Sequence, residues 1–219
     1  MKAIILAAGK GKRFGNLTKK LPKPLIKIGD ITLIEHNIKL LKKNGFTEII
    51  INVSYLSNLI MDFLGNGEKY NIKIDYSIEH PEPLETGGGI QNALGIIGDS
   101  PFLVINSDIY TDCELSKISI EDGDLASLIM VENPPHNLSG DFSMIKNRIT
   151  LKQNNSFTYA GIGIFRPEFF EGITIKNYKL VDVLIKHIKK NKVSGSLHKG
   201  VWHDVGDEKK LSEVKKLFF

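Results

Sequence analysis

The opening segment is the feature that most constrains the fold. Residues 3–8 are all apolar, and the loop 9–13, with two glycines, two lysines and an arginine, follows at once. An apolar run bounded by glycine predicts a fully buried strand. Because the residues around the strand end are small, the N–H groups of the loop can approach an anion closely, and Arg13 can pair with its oxygens. We therefore predict a buried strand whose carboxyl end binds phosphate.

A second basic residue supports this interpretation. Lys23 lies between Pro22 and Pro24, which fix the backbone around it. The standard phosphate loops do not fit, because Phe14 stands where a dinucleotide-binding loop has its third glycine and the chain has no Walker A Gly-Lys-Ser/Thr. On the two glycines alone, a simple tight turn between a strand and a helix stays open.

The rest of the chain alternates between apolar strands and amphipathic helices. Strands are predicted at 2–8, 48–53, 73–78, 101–106, 125–131, 159–165, 195–197 and 201–205. Helices are predicted at 31–44, 57–64, 87–97, 179–190 and 208–217. Between residues 133 and 158 we expect turns and antiparallel strands. This order predicts an α/β fold with a Rossmann-like, mostly parallel sheet covered by helices and a small antiparallel subregion facing the substrate.

Composition excludes several classes of protein. The chain has 219 residues and a single cysteine, Cys113, so it has no internal disulfide framework and no cysteine-based zinc site. The net charge of +4 comes from lysines spread along the chain, which gives no support to nucleic-acid binding. No apolar run is long enough for a membrane span or a signal-peptide core. We expect a cytoplasmic protein, monomeric or homodimeric, without nucleic-acid or membrane partners.

Polar residues collect where the predicted strands end, which is where open α/β sheets bind ligands. They are Glu79, the triple glycine 87–89, Asn106, Asp108 and Asp204. The glycines allow close approach of a base or sugar, although a flexible turn is the alternative. For Asp108 or Asp204 alone, a helix cap or a structural salt bridge is the more common role. Together with the phosphate loop, the two favour one shared Mg²⁺ that also takes phosphate oxygens. The histidines show no metal-binding spacing, and no serine has the context of a hydrolase nucleophile.

Together these residues form a family pattern. Residues 6–13, followed by Pro22-Lys23-Pro24-Leu25, resemble the signature of the sugar-1-phosphate nucleotidylyltransferases, also called nucleotide-sugar pyrophosphorylases. The resemblance extends to the glycines 87–89, Asp108 and the element 202–206. It departs at Ser107, where many relatives have glycine, and in lacking the Glu-Lys-Pro element of many hexose-specific relatives.

Within this family, several segments resemble the branch that uridylylates N-acetylmuramate α-1-phosphate in cell-wall recycling. These segments are 82–90, 131–136, 140–142, 170–172 and 192–195. The resemblance implies that a uridylyl group passes from UTP to the sugar phosphate, with Mg²⁺ as cofactor and pyrophosphate as the second product. It also implies one domain over 1–219, with a nucleotide-binding half (1–110), a sugar-binding and closing half (111–219) and no C-terminal β-helix.

The resemblance further assigns roles to individual residues. Catalysis falls to Arg13, Lys23 and Asp108, and Mg²⁺ binding to Asp108 and Asp204. Nucleotide binding falls to Ala8, Gly9, Gly11, Lys12, Arg13, Lys23, Glu79, Gly88 and Asn106. Sugar binding falls to Asn106, Gly140, Asp141 and Tyr159, although Tyr159 could equally begin a strand without lining a pocket.

Three other functions stay open at this point. The first is the same chemistry on another pair, such as GTP with a heptose 1-phosphate, against which segment 131–142 argues. The second is a non-catalytic nucleotide-sugar sensor, which would have no need to retain Arg13, Lys23 and both aspartates. The third is a Rossmann-type dehydrogenase, which Phe14 and the missing early ribose-binding acid disfavour.

Overall fold

The computed structural model describes residues 1–151 and 156–218. Its strands are β1 (Ala3–Leu6), β2 (Lys27–Ile28), β3 (Ile31–Thr32), β4 (Glu48–Val53), β5 (Lys73–Ile78), β6 (Phe102–Asn106), β7 (Ile109–Thr111), β8 (Ala126–Glu132), β9 (Ser143–Ile145), β10 (Arg148–Thr150), β11 (Phe157–Phe165), β12 (Val193–Leu197) and β13 (Trp202–Asp204). Its α-helices are α1 (Leu33–Lys43), α2 (Ser57–Leu64), α3 (Glu85–Ile97), α4 (Leu180–Lys189) and α5 (Glu208–Lys215).

One large mixed sheet organises these elements. Its strand order is β5-β4-β1-β6-β11-β8-β12-β10-β9. The first four strands are parallel, β11 is antiparallel to both of its neighbours, and β12 is again parallel to β8. The predicted α/β fold, with a mostly parallel sheet and an antiparallel subregion, is therefore confirmed.

Helices cover both faces of the sheet, because successive residues of a strand point to opposite sides. On one face, Ala3 and Ile5 of β1 lie in a buried cluster with residues of α1 and α2. On the other face, Ile4 lies in a cluster with residues of α3 and α4. Strands buried on both sides must be apolar throughout, which explains the uninterrupted runs in the sequence.

A third apolar cluster connects the two ends of the chain. Phe14, which follows the glycine-rich loop, is buried with Ile28, Val205 and Leu211. Leu211 belongs to α5, and Val205 follows the short ribbon in which β13 pairs antiparallel with β7. This cluster holds the loop 9–13, the segment after β13 and helix α5 against one another.

No helix in the described part of the chain combines the length and the apolar character that a membrane span requires.

Candidate active site

A cavity of about 580 Å³ opens at the carboxyl ends of β1 and β6. Nine of the residues that sequence analysis assigned to the site line this cavity: Ala8, Gly9, Gly11, Lys12, Arg13, Lys23, Glu79, Asn106 and Asp108. Ser107 and Gly206 line it as well. The structure thus brings together the ends of strands that are far apart in sequence, as expected for an open α/β sheet.

The loop after β1 turns tightly at Gly11. Gly11 has φ +61°, and a Cβ there would lie 3.0 Å from Cγ2 of Thr18. The Gly11 carbonyl accepts hydrogen bonds from Phe14 N at 2.9 Å and from the Thr18 hydroxyl at 3.0 Å. Only glycine fits this combination of left-handed backbone and close packing. The turn starts a short 3-10 helix, Lys12–Phe14, which presents Arg13 to the cavity.

Arg13 packs directly against the backbone of Gly206. A Cβ at residue 206 would lie only 2.9–3.1 Å from the guanidinium atoms of Arg13. The absence of a side chain at Gly206 therefore makes the room in which the guanidinium lies. Through this contact the segment after β13 helps to position the arginine of the phosphate loop.

Lys23 and Asp108 form an ion pair at the cavity wall. The Lys23 Nζ donates to Oδ2 of Asp108 at 2.6 Å, and the two side chains are 11% and 23% exposed. Lys23 begins the 3-10 helix Lys23–Leu25, whose preceding residue, Pro22, is extended. Asp108 follows β6 by two residues. Both charges therefore come from rigid backbone and face the same cavity.

Asp204 lies beside this pair but does not line the cavity. In the ribbon formed by β7 and β13, Asp204 pairs with Ile109. The next residue along the chain, Val205, donates its backbone N–H to the carbonyl of Asp108 at 2.8 Å. The Asp204 carboxylate accepts hydrogen bonds from Lys210 Nζ at 2.8 and 2.7 Å. His136 Nε2 lies 3.2 Å from one of the same oxygens.

The two aspartates fit a hard divalent cation in their chemistry. Within residues 1–151 and 156–218 there is no cluster of three or more His, Cys, Asp or Glu side chains that could enclose a metal. Each aspartate is instead paired with a lysine ammonium, so each carboxylate lies where a positive charge compensates it. Mg²⁺ commonly takes one or two carboxylates and completes its shell with phosphate oxygens and water. Asp108 and Asp204 are thus candidate ligands for a cation that arrives with phosphate.

Glu79 lines the cavity as part of a buried chain of polar side chains. Its carboxylate accepts hydrogen bonds from the Asn52 side chain and, at 2.6 Å, from Leu84 N. Asn52 in turn accepts a hydrogen bond from Ala7 N at 3.0 Å. Glu79 is only 4% exposed, and this burial raises the pKa of its carboxyl. The chain of contacts fixes the wall between the ends of β1, β4 and β5.

The triple glycine 87–89 lies inside helix α3 and not in a loop before it. Helix α3 begins at Glu85, two residues earlier than predicted, so the glycines lie in its first turns. The amides of Gly87 and Gly88 donate to the carbonyl of Tyr178 at 3.0 and 3.2 Å, so they are not free for an anion. A Cβ on Gly88 would lie 1.9 Å from the carbonyl oxygen of Lys176. The close approach that these glycines permit is to the protein itself, and Gly88 does not line the cavity.

Gly89 also packs closely against the protein, here against buried side chains. A Cβ there would lie 2.3 Å from Oε1 of Glu79 and 2.5 Å from Nδ2 of Asn52. The glycine therefore makes room for the Asn52–Glu79 pair beneath α3.

Asn106, at the end of β6, faces the cavity opposite a glycine of β11. Gly161 has φ +72°, and a Cβ there would lie 2.6 Å from Nδ2 of Asn106. It lies within the register shift of the β11–β8 pairing, between Tyr159 and Gly163. The missing side chain of Gly161 at this irregularity leaves the space that the Asn106 amide occupies.

The residues assigned to the sugar are outside the cavity lining, apart from Asn106. Both carboxylate oxygens of Asp141 are engaged, one with the Asn137 amide at 3.2 Å and the other with Tyr159 N at 2.8 Å. Gly140 has φ +61° in the same turn. The Tyr159 ring packs against a core cluster, and burial raises the pKa of its hydroxyl. Asp141 therefore organises the loop 133–142, and Gly140, Asp141 and Tyr159 stay predictions as sugar contacts.

Sequence analysis missed three residues with close contacts at the site. Asn52 is the next-to-last residue of a buried strand, and a similar position singled out Asn106, so it could have been found. Lys210 and His136 contact Asp204 from helix α5 and from the loop after β8, and no local pattern indicates either contact.

Comparison with known proteins identifies the family of the chain. The sequence profile of the family described as Nucleotidyl transferase matches residues 2–218. The chain is 43% identical over 226 residues to N-acetylmuramate alpha-1-phosphate uridylyltransferase of Neisseria meningitidis, covering 99% of this chain and 98% of that protein. It is 28% identical over 212 residues to D-glycero-alpha-D-manno-heptose 1-phosphate guanylyltransferase of Campylobacter jejuni, covering 94% and 95%.

A solved structure shows the same fold. The structure, from Bacillus anthracis, is described as a glucose-1-phosphate thymidylyltransferase in complex with a sucrose. It superposes with a TM-score of 0.87 at 19% identity and covers 99% of this chain and 94% of that one. The resemblance seen in the sequence is confirmed: the chain belongs to the nucleotidyl transferase family, in the group of sugar-1-phosphate nucleotidyltransferases.

Proposed function

We propose that this enzyme transfers a uridylyl group from UTP to N-acetylmuramate α-1-phosphate, giving UDP-N-acetylmuramate and pyrophosphate in cell-wall recycling. The observation that carries the proposal is the Lys23–Asp108 pair beside the loop 9–13, within one cavity. The nearly full-length identity of 43% to the Neisseria enzyme supports the choice of nucleotide and sugar. The enzyme would act in the cytoplasm, where UTP is available.

The proposed chemistry is a direct displacement. An oxygen of the sugar phosphate attacks the α-phosphorus of UTP in line, and pyrophosphate leaves from the opposite side. No covalent intermediate on the protein is needed, so catalysis consists of positioning and charge neutralisation. Arg13 and the N–H groups of Gly9 and Gly11 would hold the leaving pyrophosphate. Lys23 would neutralise the charge that develops at the α-phosphate.

Other residues, inside and outside the cavity lining, would position the nucleotide and the sugar phosphate. Ala8, Glu79 and Gly88 are proposed to meet the base, and Asn106 the ribose or the sugar phosphate. The loop 133–142, with Gly140 and Asp141, and Tyr159 are proposed to form the sugar side. Residues 1–110 would then be the nucleotide half of one domain and residues 111–219 the sugar half.

Asp108 and Asp204 are proposed to hold Mg²⁺. When bound, the ion would supply positive charge that neutralises the reacting phosphates. In this proposal Asp108 contributes an oxygen at the cavity wall, and Asp204 contributes one from the neighbouring ribbon β7–β13.

A substrate screen tests the proposal. Pyrophosphate release would be measured with ATP, CTP, GTP and UTP against the 1-phosphates of N-acetylmuramate, N-acetylglucosamine, glucose and heptose, with Mg²⁺ present. We expect the highest kcat/KM for UTP with N-acetylmuramate α-1-phosphate. The Lys23→Ala variant serves as the inactive reference in this screen. Lys27 is exposed on strand β2, so Lys27→Ala is the control that should keep its activity.

The same screen distinguishes the alternatives. The Campylobacter relative favours guanylyl transfer to a heptose 1-phosphate as the second candidate, and a preference for GTP with that sugar would establish it. No pyrophosphate release from any pair would instead indicate a nucleotide-sugar sensor.

A further inference from the structure

The Asp204 carboxylate is held from two sides. Lys210 Nζ donates to its two oxygens at 2.8 and 2.7 Å, and His136 Nε2 lies 3.2 Å from one of them. The side chains of Lys210 and Asp204 are 14% and 24% exposed. The ammonium is therefore partly shielded from water and occupies both oxygens of the carboxylate.

The backbone of α5 determines where Lys210 lies. Asp207 caps this helix by accepting a hydrogen bond from Lys210 N at 3.0 Å. The next residue, Leu211, is buried in the cluster with Phe14 and Val205. The start of α5 is thus anchored on both sides of the lysine backbone, and the ammonium is directed at Asp204 by that anchorage.

Lys210 differs from Lys23 in one important respect. Lys23 lines the cavity and can reach a substrate phosphate, whereas Lys210 is not among the lining residues. The acceptor that the structure gives Lys210 Nζ is Asp204. An effect of Lys210 on the reaction would therefore be exerted through this carboxylate.

We propose that Lys210 is a positioning residue that holds Asp204 in the metal-free enzyme and is displaced when a divalent cation binds. The inference rests on the proposed role of Asp204 as a Mg²⁺ ligand. An ammonium and a divalent cation compete for the same oxygens, and their like charges repel each other. Lys210 therefore keeps the carboxylate compensated before substrate arrives and, in return, weakens metal binding.

Direct metal titration tests this role. Mn²⁺ binding, followed by the loss of its free EPR signal, would be compared for the wild type, Lys210→Met and Lys209→Met. Lys209 is the exposed neighbour on α5, so its variant removes the same charge one residue away. We expect Lys210→Met to bind Mn²⁺ roughly fivefold more tightly, the scale of one partly exposed ion pair, and Lys209→Met to match the wild type. Equal or weaker binding by Lys210→Met, or no Mn²⁺ binding by any of the three proteins, overturns the proposal.

Thermal unfolding separates this role from a merely structural one. We expect Lys210→Met to unfold at a lower temperature than the wild type without metal, and saturating Mn²⁺ to remove most of the difference. A deficit that Mn²⁺ leaves unchanged overturns the proposal. Asp204→Asn distinguishes the two levels of the argument: unchanged Mn²⁺ affinity in that variant refutes the metal role of Asp204 itself, whereas weaker affinity there with no change in Lys210→Met refutes only the role of Lys210.

Discussion

The ammonium of Lys23 lies 2.6 Å from the carboxylate of Asp108, although 85 positions separate them in the chain. The pair joins the segment between two prolines to the end of β6, and both side chains are mostly shielded from solvent. In the proposed reaction, Lys23 would exchange Asp108 for a phosphate of the substrate. A divalent cation held by Asp108 would then supply the compensating positive charge at the carboxylate.

Replacing Lys23 should reduce turnover far more than substrate binding. We expect Lys23→Ala to lower kcat by about 10²–10³, the scale of losing one preorganised charge donor in the transition state. Steady-state kinetics with saturating UTP measures the change, and Lys27→Ala should be unaffected. Turnover of Lys23→Ala near the wild-type value would remove Lys23 from the catalytic role.

Replacing Asp108 should weaken the dependence on metal. Asp108→Asn keeps the size of the side chain but removes its charge, so we expect at least roughly tenfold lower activity and a higher Mg²⁺ concentration at half-maximal rate. Asp99→Asn is the matched control, because Asp99 is exposed and precedes the other end of β6. An unchanged Mg²⁺ titration of Asp108→Asn would contradict the assignment.

Adding a methyl group at Gly206 should act through Arg13. The new Cβ would meet the guanidinium at 2.9–3.1 Å, and the flexible side chain can yield, so the fold should persist. We expect Gly206→Ala to lower kcat/KM by roughly tenfold or more, because a small misplacement of a positioning group is costly. In the Arg13→Ala background the same substitution should have little further effect. Additive losses in the double variant would show that Gly206 acts independently of Arg13.

Adding a methyl group at Gly88 should destabilise the fold. A Cβ 1.9 Å from the Lys176 carbonyl oxygen forces the backbone of α3 or of the covering segment to move. We expect Gly88→Ala to lower the free energy of unfolding by about 1–3 kcal/mol. Gly95 lies in the same helix with no atom within 4 Å of its Cβ position, so Gly95→Ala should add about 0.5–1 kcal/mol. Chemical denaturation measures both, and equal effects of the two substitutions would refute the packing argument.

Burial of Glu79 should appear in the pH dependence of stability. Because burial raises the pKa of this carboxyl in the folded state, folding favours its protonated form. This contribution is fully present below the unfolded pKa of about 4.3 and is lost as the pH rises through the higher folded value.

A comparison with Glu79→Gln isolates this effect. The stability of the wild type relative to Glu79→Gln should therefore be greatest near pH 4 and should decline toward pH 7. Unfolding free energies at a series of pH values test this, with the exposed Glu213→Gln as control. A relative stability that rises with pH would mean that the carboxylate is favoured in the fold.

Local sequence determined much of the architecture. The strands at 48–53 and 73–78 have the predicted bounds, because the apolar run of the first and the alternating apolar residues of the second are local signals. Helix α3 begins before its predicted start, and in its first turn the amides of Gly87 and Gly88 donate to the carbonyl of Tyr178, which is distant in sequence. The strand β7 has three residues, too few for a periodic pattern, and exists through its pairing with β13.

The site residues that follow from local sequence were predictable, whereas contacts made by packing were not. Arg13, Lys23, Asn106 and Asp108 follow from strand ends and glycine or proline context, and they do line one cavity. Asp204 contacts Lys210 and His136 because α5 and the loop 133–142 pack beside it. The local sequence around these residues does not indicate that packing. Asp141 was assigned by family resemblance, and its carboxylate accepts hydrogen bonds from Asn137 in its own loop and from Tyr159 N of β11.

The most direct test of the account is to identify the product formed from UTP and N-acetylmuramate α-1-phosphate. Purified enzyme, both substrates and Mg²⁺ would be incubated, and the mixture analysed by ³¹P NMR and mass spectrometry. We expect UDP-N-acetylmuramate and pyrophosphate in equal amounts, with formation strongly reduced in Lys23→Ala. No nucleotide sugar from this pair, under conditions where another nucleotide and sugar 1-phosphate react, would contradict it.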